Sequence, residues 1–439
     1  MAPSAFVGLQ QFLDSEAGKE MSSAGQLIAT WFPDADEFDL PQGFRLAEHE
    51  PVPFPSVPAE WPAEMLAAAG SLTLDLAEQC LPGGWVLKDA TPLNVLFRGP
   101  EPVFVDVLSF QRQDPHESIW PAYAQFVRTF LLPLLACRAT ASSLPEMCLA
   151  RRDGLEPNQV YRLLSWWQRL APPGLLLASI PTWTAGRSES DSSLYSPRPT
   201  EPERAAFTLN YMFRRLRRQL KAVSRTSSGS HWSNYLETQT HYTRDQFAEK
   251  ESFVKGVLGE SGTRRVLDIG ANTGHFSELA ARAGASVVAI DSDSAAAGRI
   301  WQRAVENSLD ILPLLVDFCR PTPALGWRNL ESGSFLDRAH GHFDLVMMLA
   351  VVHHMLITER VPLEEILDAV ARITTDLLLI EFIEPPDPMF RRLVRGRDAL
   401  YAHLTALYFE SACAAQFDIV RKQPIGHSSR TLYLLRRKN

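Results

Sequence analysis

Cysteine is sparse in this chain. The five present, Cys80, Cys137, Cys148, Cys319 and Cys413, form no CxxC pair and share no metal-ligand spacing with histidine. That excludes a disulfide framework or a zinc module, and free thiols in a reducing compartment are expected. Long hydrophobic runs are missing too. None approaches the roughly 18 apolar residues that a membrane span needs. The N-terminus, MAPSAFVGLQQFLDSE, has no basic stretch followed by an apolar core, so no signal peptide is expected and the location is read as cytoplasmic. Basic excess is also lacking. Lys and Arg total 43 against 51 Asp and Glu, a net charge of -8. A nucleic-acid-binding domain would carry a basic stripe, so this balance argues against that class.

What the chain does have is length and apolar mass. With 439 residues, 46% hydrophobic and 21% charged, it suits two globular domains with ample cores. Composition changes at Pro181–Glu203, PTWTAGRSESDSSLYSPRPTEPE, a stretch too polar to bury much surface. After it, Phe207, Tyr211, Leu216 and Leu220 recur at helical spacing among Arg214, Arg215, Arg217 and Arg218. This basic helix fits a nucleic-acid or membrane contact, or a linker helix with solvated or paired arginines. A second loose patch, Ser224–Ser230, follows. Three segments are therefore expected: an accessory domain over 1–180, a linker with a basic helix over 181–235, and a second domain over 236–439.

The second domain carries the clearest motifs. RRVLDIG is a short strand ending at Asp268 and Gly270, ANTG is a turn, HFSELAARAG a helix closed by Gly284, and SVVAIDSD a strand ending at Asp291. Strand, turn, helix, strand in that order is a right-handed βαβ unit. Gly270 and Gly274 let the backbone bend and approach a ligand closely. Amides at the helix start can meet a carboxylate. Asp291, 23 residues beyond Asp268, can accept the two hydroxyls of a ribose. The dinucleotide spacing G-x-G-x-x-G is absent; the glycines stand as G-x-x-x-G.

VLDIGANTG followed by VVAID resembles the first two motifs of the class I S-adenosylmethionine-dependent methyltransferases. Asn272 stands where the family's middle glycine usually lies, and Asn tolerates unusual backbone angles. The resemblance covers nearly all of the last 200 or so residues. It implies an α/β fold with a Rossmann-like, doubly wound, seven-stranded sheet, and S-adenosylmethionine as cofactor. Asp268, Gly270, Asn272, Gly274 and Asp291 would bind it. Asp317 would contact the adenine amino group, and Phe318 would pack on the ring or simply in the core. FDLVMMLAVVHHM reads as a buried fourth strand running into a loop. TDLLLIEFIEPPD reads as a fifth strand ending at Glu381 and Glu384, and FDIVRKQPIGHSSRTLYLLRRK as a closing hairpin.

The acceptor side is less defined. His353 and His354 follow the fourth strand, where open α/β sheets place ligands, and either serves as a general base or both are structural. Glu381 and Glu384 hold an acceptor or are solvated. Arg391, Arg392, Arg395 and Arg397 suit a carboxylate or phosphate on the acceptor, or are surface charge. Tyr242 and Lys250 belong to a segment that commonly lids the cofactor in this family.

In the first half, Asp89 and Asn94 are spaced D-x-x-x-x-N before an apolar run, and Asp106 follows in VFVDVLSF. That order is similar to the catalytic loop and metal-binding Asp of the protein-kinase and aminoglycoside-phosphotransferase fold. A glycine-rich loop and a V-A-I-K-like strand are absent, so a degenerate kinase-like lobe within a mostly helical α+β domain is expected, without phosphotransfer. Trp166 and Trp167 are expected to pack in the core. The combination resembles a group of bacterial two-part methyltransferases, some of them nodulation-type proteins. Together these features imply methyl transfer to a small-molecule, natural-product or sugar-derived acceptor. An RNA or protein methyltransferase and a non-enzymatic S-adenosylmethionine-binding module are the alternatives, and no metal or membrane partner is expected.

Overall fold

The computed structural model describes residues 1–33, 41, 44–140, 143–188, 200–224 and 242–438. The chain divides into two compact units, Met1–Ser228 and Gly229–Asn439. Much of the polar stretch around 189–199 and nearly all of the patch after Ser224 lie outside the described residues.

The first unit is helical with small strand pairs, as an α+β reading requires. Helix α1 (Ala63–Cys80) buries Met65, Leu66, Ala69, Leu72, Leu76 and Ala77. Strands β1 (Trp85–Leu87), β2 (Val95–Arg98), β3 (Glu101–Phe104) and β4 (Phe110–Arg112) form two antiparallel pairs, β1 with β4 and β2 with β3. The loop between β1 and β2 brings Asn94 and Asp106 together. Asn94 Nδ2 lies 3.4 Å from Asp106 Oδ2, and Ser109 Oγ donates to that same oxygen at 2.6 Å. Asp89, on the same loop, is half-buried.

One expectation for this unit needs correction. Trp166 and Trp167 stack on each other but are 56% and 66% exposed, so they are not core residues. They sit on a five-residue helix, Trp166–Leu170, that buries none of its residues, so neither ring enters the core. The segment read as a linker with a basic helix carries that helix and a second, shorter one. Ile180–Ser188 is helical, and α2 (Pro202–Val223) packs on α1 through Leu209, Phe213, Leu216, Leu220 and Val223. Arg217 ties the two helices together, with Nη2 2.5 Å from Asp75 and 2.7 Å from Glu78.

The second unit opens with α3 (Arg244–Ser261), capped by Thr243, whose hydroxyl accepts from the Gln246 amide. Five parallel strands follow: β5 (Arg265–Ile269), β6 (Ser286–Asp291), β7 (Ile311–Leu315), β8 (Phe343–Met348) and β9 (Thr374–Ile383). The hairpin of β10 (Phe417–Pro424) and β11 (Arg430–Arg437) adds antiparallel to β9. The sheet order is β10-β11-β9-β8-β5-β6-β7, so the chain reverses direction across the sheet between β5 and β8. The central strands are continuous runs such as VLDI and LVMM because both of their faces are covered. Helices α4 (His275–Arg282), α5 (Ser294–Asn307) and α6 (Leu363–Ile373) supply part of that cover. This is the Rossmann-like, doubly wound, seven-stranded fold expected. The topological switch lies at the C-terminal ends of β5 and β8, where such sheets hold ligands.

Candidate active site

A cleft of about 970 Å³ opens at those strand ends. Its floor is the turn after β5. Gly270 has φ +73°, and a Cβ there would meet Val351 Cγ2 at 2.8 Å. Gly274 has φ +76°, and a Cβ would meet Ile300 Cγ1 at 2.8 Å. Both positions therefore exclude a side chain twice over, by conformation and by space. Asn272 also takes a left-handed conformation, φ 51°. That is how a non-glycine residue is accommodated at the middle of this turn.

Asp291 ends β6 and is aimed by backbone donors. Its Oδ2 accepts from the Asn272 amide and its Oδ1 from the Asp293 amide, both at 2.8 Å. Burial pushes this carboxyl above the ordinary value, while the two amides act the other way. Each oxygen retains a further lone pair for a hydroxyl. Asp268 lies deeper. It is 2% exposed and accepts from Ser277 Oγ at 2.6 Å. Burial pushes its carboxyl up to about 6. Asp317 accepts from the Cys319 amide at 2.9 Å and pairs with Arg320. Phe318 is half-buried on the cleft wall and so is not a pure core residue. Asp268, Gly270, Asn272, Asp291, Asp317 and Phe318 all line the cleft. Gly274 stands just behind it at the start of α4.

The opposite wall holds His353, buried, and His354, exposed, with ring centroids 4.2 Å apart. Beyond them is a buried polar network. Glu381 has no exposed surface and receives Lys250 Nζ at 2.6 Å and the Tyr242 hydroxyl at 2.5 Å. Lys250 Nζ also reaches the Tyr242 oxygen at 3.3 Å. Arg430 is 5% exposed. It donates to Asp387 at 2.8 and 3.3 Å, lies 3.7 Å from Glu381, and stacks over the Tyr242 ring. Two buried cations thus face two buried carboxylates, and each charge is compensated. Burial, then the Glu381 carboxylate, holds the Tyr242 hydroxyl well above its usual range, so it stays protonated.

This geometry changes the reading of Glu381. Strand β9 runs to Ile383, so the residue sits inside the strand and is neither a solvated loop carboxylate nor part of the cleft lining. Glu384, just past the strand, accepts from the Ala406 amide. Arg391 is exposed on α7 (Pro388–Val394), and Arg397 bonds back to the Val394 carbonyl. Neither lines the cleft, although Met389 of the same segment does. Arg430 and Asp387 were not legible beforehand.

Residues 209–410 match the family model of a methyltransferase domain. The chain is 29% identical over 444 residues to the nodulation protein NoeA of Rhizobium meliloti (strain 1021), covering 97% of this chain and 91% of that protein. Among solved structures, similarity extends to the N-methyltransferase NodS from Bradyrhizobium japonicum WM9. The identity is 17% and the TM-score 0.33, covering 45% of this chain and 99% of NodS. It extends also to the magnesium protoporphyrin IX methyltransferase ChlM from Synechocystis PCC 6803, at 19% identity and TM-score 0.29, covering 44% of this chain and 80% of ChlM.

Proposed function

We propose that this chain, whose C-terminal half is a class I S-adenosylmethionine-dependent methyltransferase domain, transfers a methyl group to a hydroxyl or amine of a small-molecule acceptor. The observation that carries this reading is the pairing, across one cleft, of the Asp291 carboxylate beside two obligatory glycines with the buried Tyr242–Lys250–Glu381 network. The donor's sulfonium supplies an activated methyl, so the protein's task is to bind, orient and exclude water.

Asp291 is oriented to hold the ribose hydroxyls, and Asp317 with Phe318 the adenine. Gly270 and Gly274 keep that wall free of side chains. On the acceptor wall, hydrogen-bond polarity sets the chemistry. Tyr242 gives its proton to Glu381, so its oxygen can only accept. An acceptor beside it must donate, as a hydroxyl or amine does and a carboxylate does not. His353 or His354 takes the proton that such an acceptor releases.

Titration calorimetry of the full chain with S-adenosylmethionine and S-adenosylhomocysteine tests the cofactor half. Absence of binding at high micromolar ligand would leave a non-enzymatic module. Incubation with labelled donor and a host metabolite extract tests the acceptor half. Label in small molecules supports the proposal, whereas label in RNA or protein only would transfer the reading to those classes.

A further inference from the structure

The solvent face of α2 lies outside the cleft. Seen along the helix, Arg204, Phe207, Tyr211, Arg214, Arg215 and Arg218 fall on one side and Ala205, Leu209, Phe213, Leu216 and Leu220 on the other. The second set is buried and the first exposed, with Phe207 at 72% and Tyr211 at 57%. Arg217, on the flank toward α1, is held by Asp75 and Glu78, so the helix cannot roll its basic face inward without breaking that clamp. Among the described residues, no carboxylate lies in ion-pair range of Arg204, Arg214, Arg215 or Arg218.

We propose that this face docks the protein on an anionic lipid bilayer. A row of four arginines about 21 Å long, at 1.5 Å per residue, meets a planar negative surface all at once. Two aromatic side chains between them are placed to enter the headgroup region. Charge complementarity also explains why the row is confined to one face. The chain as a whole carries -8 and is repelled by such a surface, so only a local basic patch can hold it there. A nucleic-acid strand, by contrast, is held in a groove that tracks its backbone, and α2 presents a convex ridge. No described helix is long and apolar enough to cross a membrane, so the contact is peripheral. It is independent of the methyltransferase reading.

The test is co-sedimentation of the full chain with vesicles of phosphatidylcholine alone or doped with phosphatidylserine. Binding is expected only to the doped vesicles, weakening at least tenfold as salt rises from about 0.05 to 0.5 M, through screening. Arg214→Glu/Arg215→Glu/Arg218→Glu should abolish it. Phe207→Ala/Tyr211→Ala should weaken it severalfold, with far-ultraviolet circular dichroism unchanged for both. Equal binding to both vesicle types, or full binding by the charge-reversed variant, would overturn the proposal. So would tighter binding to a poly-uridine probe than to the doped vesicles, or self-association that the aromatic double variant removes.

Discussion

Replacing Lys250 with methionine isolates the energetics of the cleft's polar wall. The side chain is nearly isosteric with the lysine stem, so packing against Phe276 and Tyr242 is largely kept, and the loss is one charge. That charge lies 2.6 Å from a carboxylate with no exposed surface. Breaking such a pair costs about 3–5 kcal/mol, because the remaining charge is left buried. Glu381 keeps the Tyr242 hydroxyl and has Arg430 at 3.7 Å, which places the expectation near the lower end, about 3 kcal/mol. The second unit spans 211 residues (229 to 439). At roughly 2–4 °C per kcal/mol for that size, its transition should fall by about 6–12 °C. The two units need not unfold together, so calorimetry of the full chain is read on the transition that S-adenosylmethionine shifts. Lys250→Met/Glu381→Gln removes both charges and leaves an acceptor for Tyr242. It should recover at least half the loss. A single variant that loses less than about 1 kcal/mol, the level of an exposed pair, would show that the pair is not desolvated. A double variant as unstable as the single one would show that charge is not the cause.

Three further perturbations address the cofactor wall. Asp268 has a folded-state carboxyl raised by burial to about 6 from an ordinary 3.8, so the folded protein binds a proton more tightly than the unfolded chain does. Its contribution therefore falls as pH rises from about 4 to 6, by up to about 3 kcal/mol. Subtracting the stability profile of Asp268→Asn from wild type should reveal that slope, and a flat difference would refute it. Gly270→Ala places a methyl against Val351 in a left-handed backbone, and should cost about 1–3 kcal/mol by thermal melt; an unchanged melt would mean the turn relaxes freely. Asp291→Ala should weaken donor binding at least tenfold, about 1.4 kcal/mol, by calorimetry. A change within twofold would remove its ribose role.

Those tests follow the line between what was legible in the residues and what was not. The strand, glycine turn and strand-end acid were legible because their constraints are local. A strand, a glycine turn, a helix and an acid at the next strand end occupy 24 consecutive residues, Asp268 to Asp291, and each needs a particular residue type. The sheet was legible for a similar reason: apolar runs such as LVMM need cover on both faces. Register was less so. The fifth strand, read as ending at Glu381 and Glu384, runs to Ile383, and Phe382 and Ile383 pair with β11, which sets Glu381 inside the sheet. Of the two acids at that strand end, Glu381 is paired within the strand and is a buried anion, while Glu384 lies just past it. That anion requires partners from distant sequence, and Lys250 and Arg430 supply them from 131 residues before it and from the far side of the closing hairpin. No spacing rule links those positions. The Tyr242–Lys250–Glu381–Arg430 network is assembled by the register of β9 against β11, and a change that shifts this hairpin by one pair should break that network while leaving the glycine turn and Asp291 in place.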